Sequence, residues 1–367
     1  MGKRDVVPPS EVRNPYGTTA EQQLKNWSRG GLVLVLIEMG RRTGVLQAMG
    51  ERRWRASELA KAAEVHQRYL LEWLSAMAAF GVVLLGSDAD GEESWQLSPE
   101  FQPYLDPGVA NTCVPLATTV VGAAHQMVRL VDPFCRGGGL TYAECDPNLS
   151  VAFDYDARVI YGYRLVDNII PAVPNLAQRL ADGVLVADLG CGAAHGLEVM
   201  ARAFPRARFV GFDPDDGVIS SGRQRLAERS IANVELHTKA IEEIPATATY
   251  DVACAFEVIH NLPDPAAALV RAREILADGG MFFMYETNAS SVRELDVTLP
   301  WAGPVYTASL LSCLTVSLAH DGAGYGAMWG VRTAGDLMAR AGFAGIDHRE
   351  VIDDAMHVVI WGSRGIA

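Results

Sequence analysis

The sequence lacks the patterns that mark membrane-spanning, secreted and zinc-binding proteins. Its longest uninterrupted apolar run, residues 32–37, has six residues, whereas a bilayer requires about 20. None of its six cysteines stands at Cys-x-x-Cys spacing from another, so we expect no metal site. The N-terminus is polar and contains proline, without the apolar core of a secretory signal. We therefore expect a cytoplasmic protein with reduced thiols and no membrane partner.

Basic residues are also scarce in this chain. Lysine and arginine number 31 against 44 acidic residues, which gives a net charge of −13 at pH 7. Such an acidic chain is a poor electrostatic partner for nucleic acid or for an anionic membrane. The 367 residues, 49% of them hydrophobic, suffice for two domains or one large domain with a packed core.

The most informative segment is residues 184–196. A β-branched apolar run ends there at Asp188, and Gly190 and Gly192 follow two positions apart. This pattern predicts a buried strand that enters a tight glycine turn and then a helix. The dinucleotide fingerprint is absent because its third glycine would fall at His195, and no Gly-Lys-Ser/Thr phosphate loop follows.

The five residues from Asp188 to Gly192 resemble motif I of the class I S-adenosylmethionine-dependent methyltransferases. This cofactor carries an ammonium and a sulfonium but no phosphate, so a carboxylate suits it better than a cradle of N–H groups. Asp213 ends the next apolar segment, 23 positions after Gly190, near the ~20 at which doubly wound folds place a ribose-binding acid. The resemblance implies S-adenosylmethionine as the cofactor, contacted by Asp188, Gly190, Gly192, Asp213, Ala240, Ile241 and Phe256.

The remaining apolar segments come in the order that this family requires. Strands are predicted at 184–188, 208–213, 235–241, 250–256, 281–285, 346–351 and 357–361, with a helix at 267–276. The resemblance implies an α/β fold, a doubly wound, Rossmann-like sheet of seven strands. Two residues depart from the family pattern: Ala194 replaces the third loop glycine, and Lys239 stands where an Asp is frequent.

The first part of the chain resembles a winged-helix domain. Helices are predicted at 57–63 and 67–80, followed by short strands at 82–85 and 95–97. The turn between these strands contains Asp88, Asp90, Glu92 and Glu93. The only basic residue of the second helix is Arg68. Because DNA-binding winged helices present Lys and Arg to phosphates, this acidic wing disfavours DNA binding.

In winged-helix methyltransferases such a domain serves in dimerisation, which implies a homodimer here. We predict a mainly helical dimerisation domain at 1–145 and a methyltransferase domain at 146–367. Residues 32–37 would belong to a subunit-contact helix, although their β-branched content leaves helix and strand open.

His260 is the predicted catalytic residue. It follows the fourth strand of the sheet, and in winged-helix O-methyltransferases the matching histidine is the general base. Asn261 follows it where those enzymes commonly have Asp, and a histidine that only packs or hydrogen-bonds is the alternative. Glu286, at the end of the fifth strand, could orient His260 or be a solvated carboxylate at the rim. His195, in the first turn after the glycines, more simply caps the backbone.

An insertion at about 300–330 is rich in aromatic and small residues and is predicted to form a substrate lid. The predicted substrate-binding residues are Tyr161, Trp301, Tyr306 and Trp329. They favour a flat, apolar acceptor, although the two tryptophans could merely seal the lid against the core.

The sequence thus predicts an S-adenosylmethionine-dependent methyltransferase that acts on a small aromatic substrate of secondary-metabolite type, at oxygen or carbon. One alternative is an indole C3-methyltransferase that forms a pyrroloindole. Another, of a different class, is a winged-helix transcriptional regulator whose methyltransferase-like domain senses a ligand. The identity of the substrate and its acceptor atom stay open.

Overall fold

The computed structural model describes residues 18–106 and 112–365, and they form two compact units. The first, the winged-helix unit, comprises the described residues up to 128 together with 146–156. The second, the sheet unit, comprises 129–145 and the described residues from 157 onward. The chain therefore passes between the units more than once, whereas the sequence predicted a single boundary after residue 145.

The winged-helix unit is mainly helical. Its elements are α1 (Ala20–Arg42), α2 (Val45–Met49), α3 (Ala56–Ala62), α4 (Gln67–Ala79), β1 (Val83–Ser87), β2 (Glu93–Leu97) and α5 (Gln102–Leu105), and α6 (Val114–Arg136) and α7 (Pro147–Arg164) extend from it into the sheet unit. Leu59, Leu74 and Met77 are fully buried at its centre. Residues 32–37 lie inside α1, which settles the choice between helix and strand that their sequence left open.

The wing is an antiparallel hairpin in which Val83 pairs with Leu97. Two acidic residues of its turn share one arginine, because Arg55 Nε lies 2.5 Å from Asp88 and Arg55 Nη2 lies 2.6 Å from Asp90. In α4, Arg68 pairs with Glu72 at 2.6 Å. Arg55 and Arg68 are therefore engaged with carboxylates of the protein itself, and Arg53 donates to Ser94 and Gln96 of the wing.

The sheet unit alternates strands and helices. Its elements are α8 (Ile170–Ala172), α9 (Leu176–Asp182), β3 (Leu185–Leu189), α10 (His195–Ala203), β4 (Arg208–Asp213), α11 (Asp216–Glu228), β5 (Val234–Thr238), β6 (Tyr250–Phe256), α12 (Pro265–Glu274), β7 (Leu276–Thr287), α13 (Arg293–Asp296), α14 (Ala302–Ala308), α15 (Leu314–Leu318), α16 (Gly330–Arg340), β8 (Ala344–Val351) and β9 (Asp354–Ser363).

The seven strands β3 to β9 form one sheet in the order β5-β4-β3-β6-β7-β9-β8. The first five strands in this order form four parallel pairs, and β9 runs antiparallel to both β7 and β8. The predicted doubly wound sheet of seven strands is confirmed. Its boundaries differ in detail: β7 begins at Leu276 rather than 281, and β5 ends at Thr238, so 239–241 lie in the turn beyond it.

Helices cover both faces of the sheet, as a parallel sheet requires. In β6, Val252, Cys254 and Phe256 pack in one apolar cluster while Ala253 and Ala255 pack in the other. This alternation is the two-residue period of a strand that is buried on both sides. Because parallel strands end at one edge, the residues that follow β3, β4, β6 and β7 meet there.

The predicted lid is helical. The chain from 302 to 318 forms α14, a π-helical turn at Ser309–Cys313, and α15. Among the described residues, no helix is both long enough and apolar enough to cross a membrane.

Candidate active site

The glycine turn after β3 has the strained backbone that its residues predict. Gly190 has a φ of +77°, and a Cβ there would lie 2.6 Å from Cγ2 of Val258. Gly192 has a φ of +51°, and a Cβ there would meet no atom within 4 Å. The backbone at Gly190 thus packs tightly against the protein, whereas the backbone at Gly192 borders open space. A ligand could therefore approach the backbone closely at Gly192.

Ala194 also adopts the left-handed conformation, with a φ of +61°, and begins α10 as its N-terminal cap. The turn therefore keeps its shape although alanine replaces the family's third glycine. His195 starts α10, and its Nε2 lies 3.3 Å from Arg225 Nη1. This contact suits the structural role that the sequence favoured for His195.

Asp188 lies behind the glycine turn and is 3% exposed. Its Oδ1 lies 3.7 Å from Cys254 Sγ. Burial, with a smaller contribution from Asp213, raises the pKa of Asp188 to about 7. A cationic group bound nearby would stabilise the ionised form of Asp188, which is the charge that an ammonium requires.

Asp213 ends β4 beside the same turn. Its Oδ2 accepts a hydrogen bond from Gly192 N at 3.0 Å, and its Oδ1 accepts one from Asp215 N at 3.0 Å. A carboxylate offers about four acceptor positions, so each oxygen can still accept a ribose hydroxyl. Burial raises the pKa of Asp213, and the two backbone amides oppose this.

The other predicted cofactor residues lie at the same edge of the sheet. Ala240 and Ile241 follow β5 and form a helical turn, and Lys239 N donates to Asp213 O at 2.9 Å. Phe256 ends β6, and its ring packs against Tyr161 with centroids 5.4 Å apart. Burial and the nearby charges of Asp188 and Glu257 raise the pKa of Tyr161. Tyr161 thus lies close to Asp188 and Glu257, and its predicted contact with the substrate stays a prediction.

His260 lies in the turn Ile259–Asn261 after β6, and its side chain is 1% exposed. Its Nδ1 lies 2.6 Å from Glu286 Oε2. Because a carboxylate can only accept, we assign the proton to Nδ1, which leaves a lone pair on Nε2. Trp329 Nε1 donates to the same Glu286 oxygen at 3.1 Å. Glu286 is fully buried, so it orients His260 and is not a solvated rim carboxylate.

Four polar atoms of this region are buried without a conventional hydrogen-bond partner: Glu257 Oε1, His260 Nε2, Asn261 Oδ1 and Glu286 Oε1. Buried polar groups normally have partners, so unpaired groups close to a histidine–carboxylate pair mark a place for a polar ligand. Burial favours the neutral form of His260, but Glu286 and Cys313 outweigh this and hold its pKa well above the usual value.

A second histidine–carboxylate pair lies next to the first, and the sequence analysis did not identify it. His357 Nδ1 lies 2.9 Å from Asp354 Oδ1, and His357 Nε2 lies 3.9 Å from Glu257 Oε1. On its other side, Glu257 Oε2 lies 4.0 Å from His260 Nε2. Glu257 has a φ of +55°, but a non-glycine residue in this conformation cannot be recognised from sequence.

Tyr142 and Cys313 also border His260 and Asn261. Tyr142 is 56% exposed as a residue, but the local burial of its hydroxyl and the charges of Cys313 and Asp213 raise its pKa, and this hydroxyl makes a hydrogen bond with Asn261. No motif surrounds either residue, so neither could be found without the fold.

The predicted lid aromatics do not all lie together. Trp329 contacts the His260 ring, with centroids 6.4 Å apart, and Tyr325 lies 5.9 Å from Trp329. Tyr306 instead packs in a small apolar cluster with Ala289 and Met328. The structure therefore places Trp329 next to the candidate catalytic group and Tyr306 in the packing of the lid.

Glu257, His260 and Glu286 each bring one donor atom within 4.8 Å of the others, a spacing that could also suit a cation. Since Glu286 Oε2 and His260 Nδ1 already form a hydrogen bond, we interpret the cluster as an acid–base site.

Comparison with known proteins identifies two regions of the chain. Residues 187–282 match a family described as a methyltransferase domain, and residues 31–102 match an Rv2258c-like winged HTH domain. A trans-aconitate 2-methyltransferase of Variovorax paradoxus is 29% identical over 155 residues, 40% of this chain and 58% of that protein. A ubiquinone biosynthesis O-methyltransferase of Acinetobacter baumannii is 28% identical over 131 residues, 34% of this chain and 54% of that protein. The chain thus spans little more than half the length of these relatives.

Solved structures resemble the whole fold at low sequence identity. Human N-acetylserotonin methyltransferase in complex with S-adenosylmethionine superposes with a TM-score of 0.72 at 14% identity, covering 95% of this chain and 98% of that one. An O-methyltransferase family protein of Burkholderia thailandensis gives 0.73 at 15% identity, covering 95% and 99%. An O-methyltransferase from neocarzinostatin biosynthesis, in complex with S-adenosylmethionine and 2-hydroxy-5-methyl naphthoic acid, gives 0.63 at 20% identity, covering 91% and 96%. The chain therefore has the class I S-adenosylmethionine-dependent methyltransferase fold and carries a winged-helix domain at its N-terminus.

Proposed function

We propose that this protein transfers a methyl group from S-adenosylmethionine to a hydroxyl oxygen of a small aromatic acceptor. The observation that carries the proposal is the pair formed by His260 and Glu286. The Nδ1 of His260 is held by the carboxylate, while its buried Nε2 has only the thiol of Cys313, a weak hydrogen-bonding group, beside it. This is the arrangement of a general base with an orienting group.

The residues at the strand edge fit the cofactor. Gly192 leaves open space beside the turn, and Asp213 retains acceptor positions for ribose hydroxyls. Asp188 supplies negative charge for a cationic group. Ala240, Ile241 and Phe256 offer apolar surface to the adenine ring of the cofactor. When bound, S-adenosylmethionine supplies an activated methyl group, so the protein contributes mainly position and exclusion of water.

The role of His260 requires its neutral form. Because Glu286 and Cys313 raise its pKa, His260 loses its proton only at a higher pH than an ordinary histidine does. We therefore expect the rate to rise with pH until His260 has lost its proton. Replacement of Glu286 by Gln would lower the pKa of His260 and move this rise to lower pH.

The aromatic character of the acceptor is supported by Trp329 and Tyr325 beside His260. Two of the similar structures have names or bound ligands that include aromatic compounds, N-acetylserotonin and a naphthoic acid. We further propose that this aromatic acceptor is a secondary metabolite. We also propose a homodimer without nucleic acid, since α1 exposes apolar side chains and the wing is acidic.

The test combines calorimetric titration of S-adenosylhomocysteine with a panel of phenols and indoles, in which methylated products are identified by mass spectrometry. We expect His260→Asn to lower the rate by about 10²–10⁴ and to leave cofactor affinity unchanged. His348→Asn is the matched control, because His348 is an exposed histidine of β8. Product methylated only at carbon, or a loss below tenfold, would contradict the general-base role. Absence of cofactor binding would contradict the proposed function as a whole.

A further inference from the structure

We propose that Glu257 is a second proton-carrying residue of this site, which receives the proton from His260, and that His357 and Asp354 position it. The inference rests on the proposed function, because methyl transfer to a hydroxyl releases one proton in each turnover.

Two imidazoles face the Glu257 carboxylate from opposite sides. His260 Nε2 lies 4.0 Å from Oε2, and His357 Nε2 lies 3.9 Å from Oε1. Separations of this size are bridged by one water or closed by a small rotation of the glutamate. The other nitrogen of each ring is fixed by a carboxylate, Glu286 for His260 and Asp354 for His357. Both rings are therefore held with Nε2 toward Glu257.

Two hydrogen bonds hold the backbone of Glu257 in an energetically unfavourable conformation, which fixes the position of its side chain. Its φ of +55° is rare for a residue with a long side chain. Glu257 N donates to Tyr285 O at 2.9 Å, and Asn261 Nδ2 donates to Glu257 O at 3.0 Å. Such strain persists where the surrounding structure enforces it, and it is concentrated at functional sites.

His260 cannot release a proton to water by itself, since its side chain is 1% exposed, whereas the Glu257 side chain is 34% exposed. In the proposed sequence the acceptor hydroxyl gives its proton to His260 Nε2 as its oxygen bonds to the methyl carbon, whose bond to the sulfonium sulfur breaks and leaves a neutral thioether. The imidazolium then passes the proton to Glu257 Oε2, and Glu257 releases it to solvent. Each transfer moves one proton, so both residues return to their starting charge without any oxidation or reduction.

The ionisable groups that face Glu257 set its proton affinity. They are Tyr161, His260, Tyr285, Glu286, Asp354 and His357. Burial and the carboxylates raise the pKa of Glu257 to about 7, and the two imidazoles oppose this. A group of that pKa exchanges protons with water near neutral pH. His357 thus favours the ionised form of Glu257, which is the form that accepts a proton.

The positioning pair is itself well anchored. Asp354 Oδ2 accepts from the Tyr285 hydroxyl at 2.5 Å and pairs with Arg164 Nη1 at 3.0 Å. The His357 ring stacks on Tyr285 with centroids 4.5 Å apart. His357 does not need to touch the acceptor, so we assign it a positioning role that acts through Glu257.

The first experiment does not require turnover. Histidine titrations of the full chain are followed by NMR with ¹⁵N-labelled imidazoles, in the wild type and in the isosteric Glu257→Gln variant. Loss of the carboxylate charge should lower the pKa of both His260 and His357 by about one unit. Unchanged values for either ring would overturn the inference. His348→Asn, as control, should leave both titrations in place.

The second experiment measures methyl transfer in weak and in imidazole buffer. We expect Glu257→Gln to lower the steady-state kcat about tenfold in weak buffer, with an unchanged first turnover, an unchanged KM and rescue by imidazole. His357→Asn should have a smaller effect, and the double variant should be no slower than Glu257→Gln alone. Additive losses, or wild-type kcat in both variants, would overturn the relay. A wild type without any methyl transfer would refute the proposed function, and the NMR titrations would still decide the coupling of the three residues.

Discussion

At the residue scale, the buried carboxyls of this site lower the free energy of unfolding when they ionise, although the negative charge serves ligand binding. The pKa of Asp188 is about 7 in the folded protein, against about 3.9 in an unfolded chain. The folded state therefore holds this proton more tightly, and the free energy of unfolding falls as pH rises from about 4 to about 7.

We expect Asp188→Asn to be more stable than the wild type by about 2–4 kcal/mol above pH 7, because no buried charge forms. The two proteins should converge below pH 4. The variant should also bind S-adenosylmethionine more weakly. Denaturant unfolding at pH 5 and pH 8 measures the difference, with the exposed Asp336→Asn as control. An equal pH dependence in Asp188→Asn and the wild type would contradict the assignment.

Trp329 and Trp301 allow a matched test of the Glu286 network. Trp329 Nε1 donates to Glu286, whereas Trp301 Nε1 is buried without a partner. Trp329→Phe should lower the free energy of unfolding by about 1–3 kcal/mol through the lost hydrogen bond to a charged group. Trp301→Phe removes the same side-chain volume but no hydrogen bond, so it should lower the free energy of unfolding by a smaller amount. Equal losses in urea unfolding would show that ring volume alone matters.

At the element scale, the lid helix α15 is attached to the chain segment before α7. Leu140 N donates to Thr315 Oγ1 at 2.8 Å, and a Cβ on Gly139 would lie 1.8 Å from Thr315 O. Two segments of the sheet unit that are 175 residues apart in sequence are thus in contact, and no space is left for a side chain at Gly139.

We expect Gly139→Ala to destabilise the protein by about 1–3 kcal/mol, because the added methyl forces backbone apart. Gly162→Ala is the control. A Cβ there would meet no atom within 4 Å, and alanine favours the interior of α7 by up to about 1 kcal/mol. Thermal unfolding of both variants checks the prediction, and a Gly139→Ala protein as stable as the wild type would contradict it.

The order of the last strands also acts at this scale. β9 pairs antiparallel with β7, with Glu286 opposite Val358 and Thr287 opposite His357. This pairing brings His357 to the same edge as Glu257. The strand itself was predicted from its apolar run, but the pairing that gives His357 a role was not.

At the scale of the whole molecule, α1 presents an uncovered apolar face. Leu24, Trp27, Leu32, Val35 and Met39 lie on one side of this helix and are 44–62% exposed. Helical spacing gathers them into one stripe, and exposed stripes of this kind mark contact surfaces.

We expect the purified protein to be a dimer by sedimentation, and the double variant Leu32→Glu/Val35→Glu to be a monomer, since dimerisation would bury its two new charges. Tyr69→Glu is the control, because Tyr69 is 80% exposed on α4, outside the stripe. A dimer that persists in the double variant would place the subunit contact elsewhere.

The sequence by itself determined the fold and the identity of the cofactor, and it predicted the residues that would hold that cofactor. The glycine turn, Asp213 and the order of apolar segments are local patterns, and local backbone preferences and strand periodicity express them directly. His260 and Glu286 could also be proposed, because both follow predicted parallel strands and such strand ends converge.

Only the tertiary structure decided which side chains complete the site. Tyr161 packs against Phe256, Trp329 donates to Glu286, and His357 lies close to Glu257 from another strand. These contacts join residues far apart in the chain and depend on strand pairing, buried hydrogen bonds and one left-handed glutamate. None of these leaves a periodic or compositional signal, so packing in three dimensions alone brings the two histidine–carboxylate pairs together.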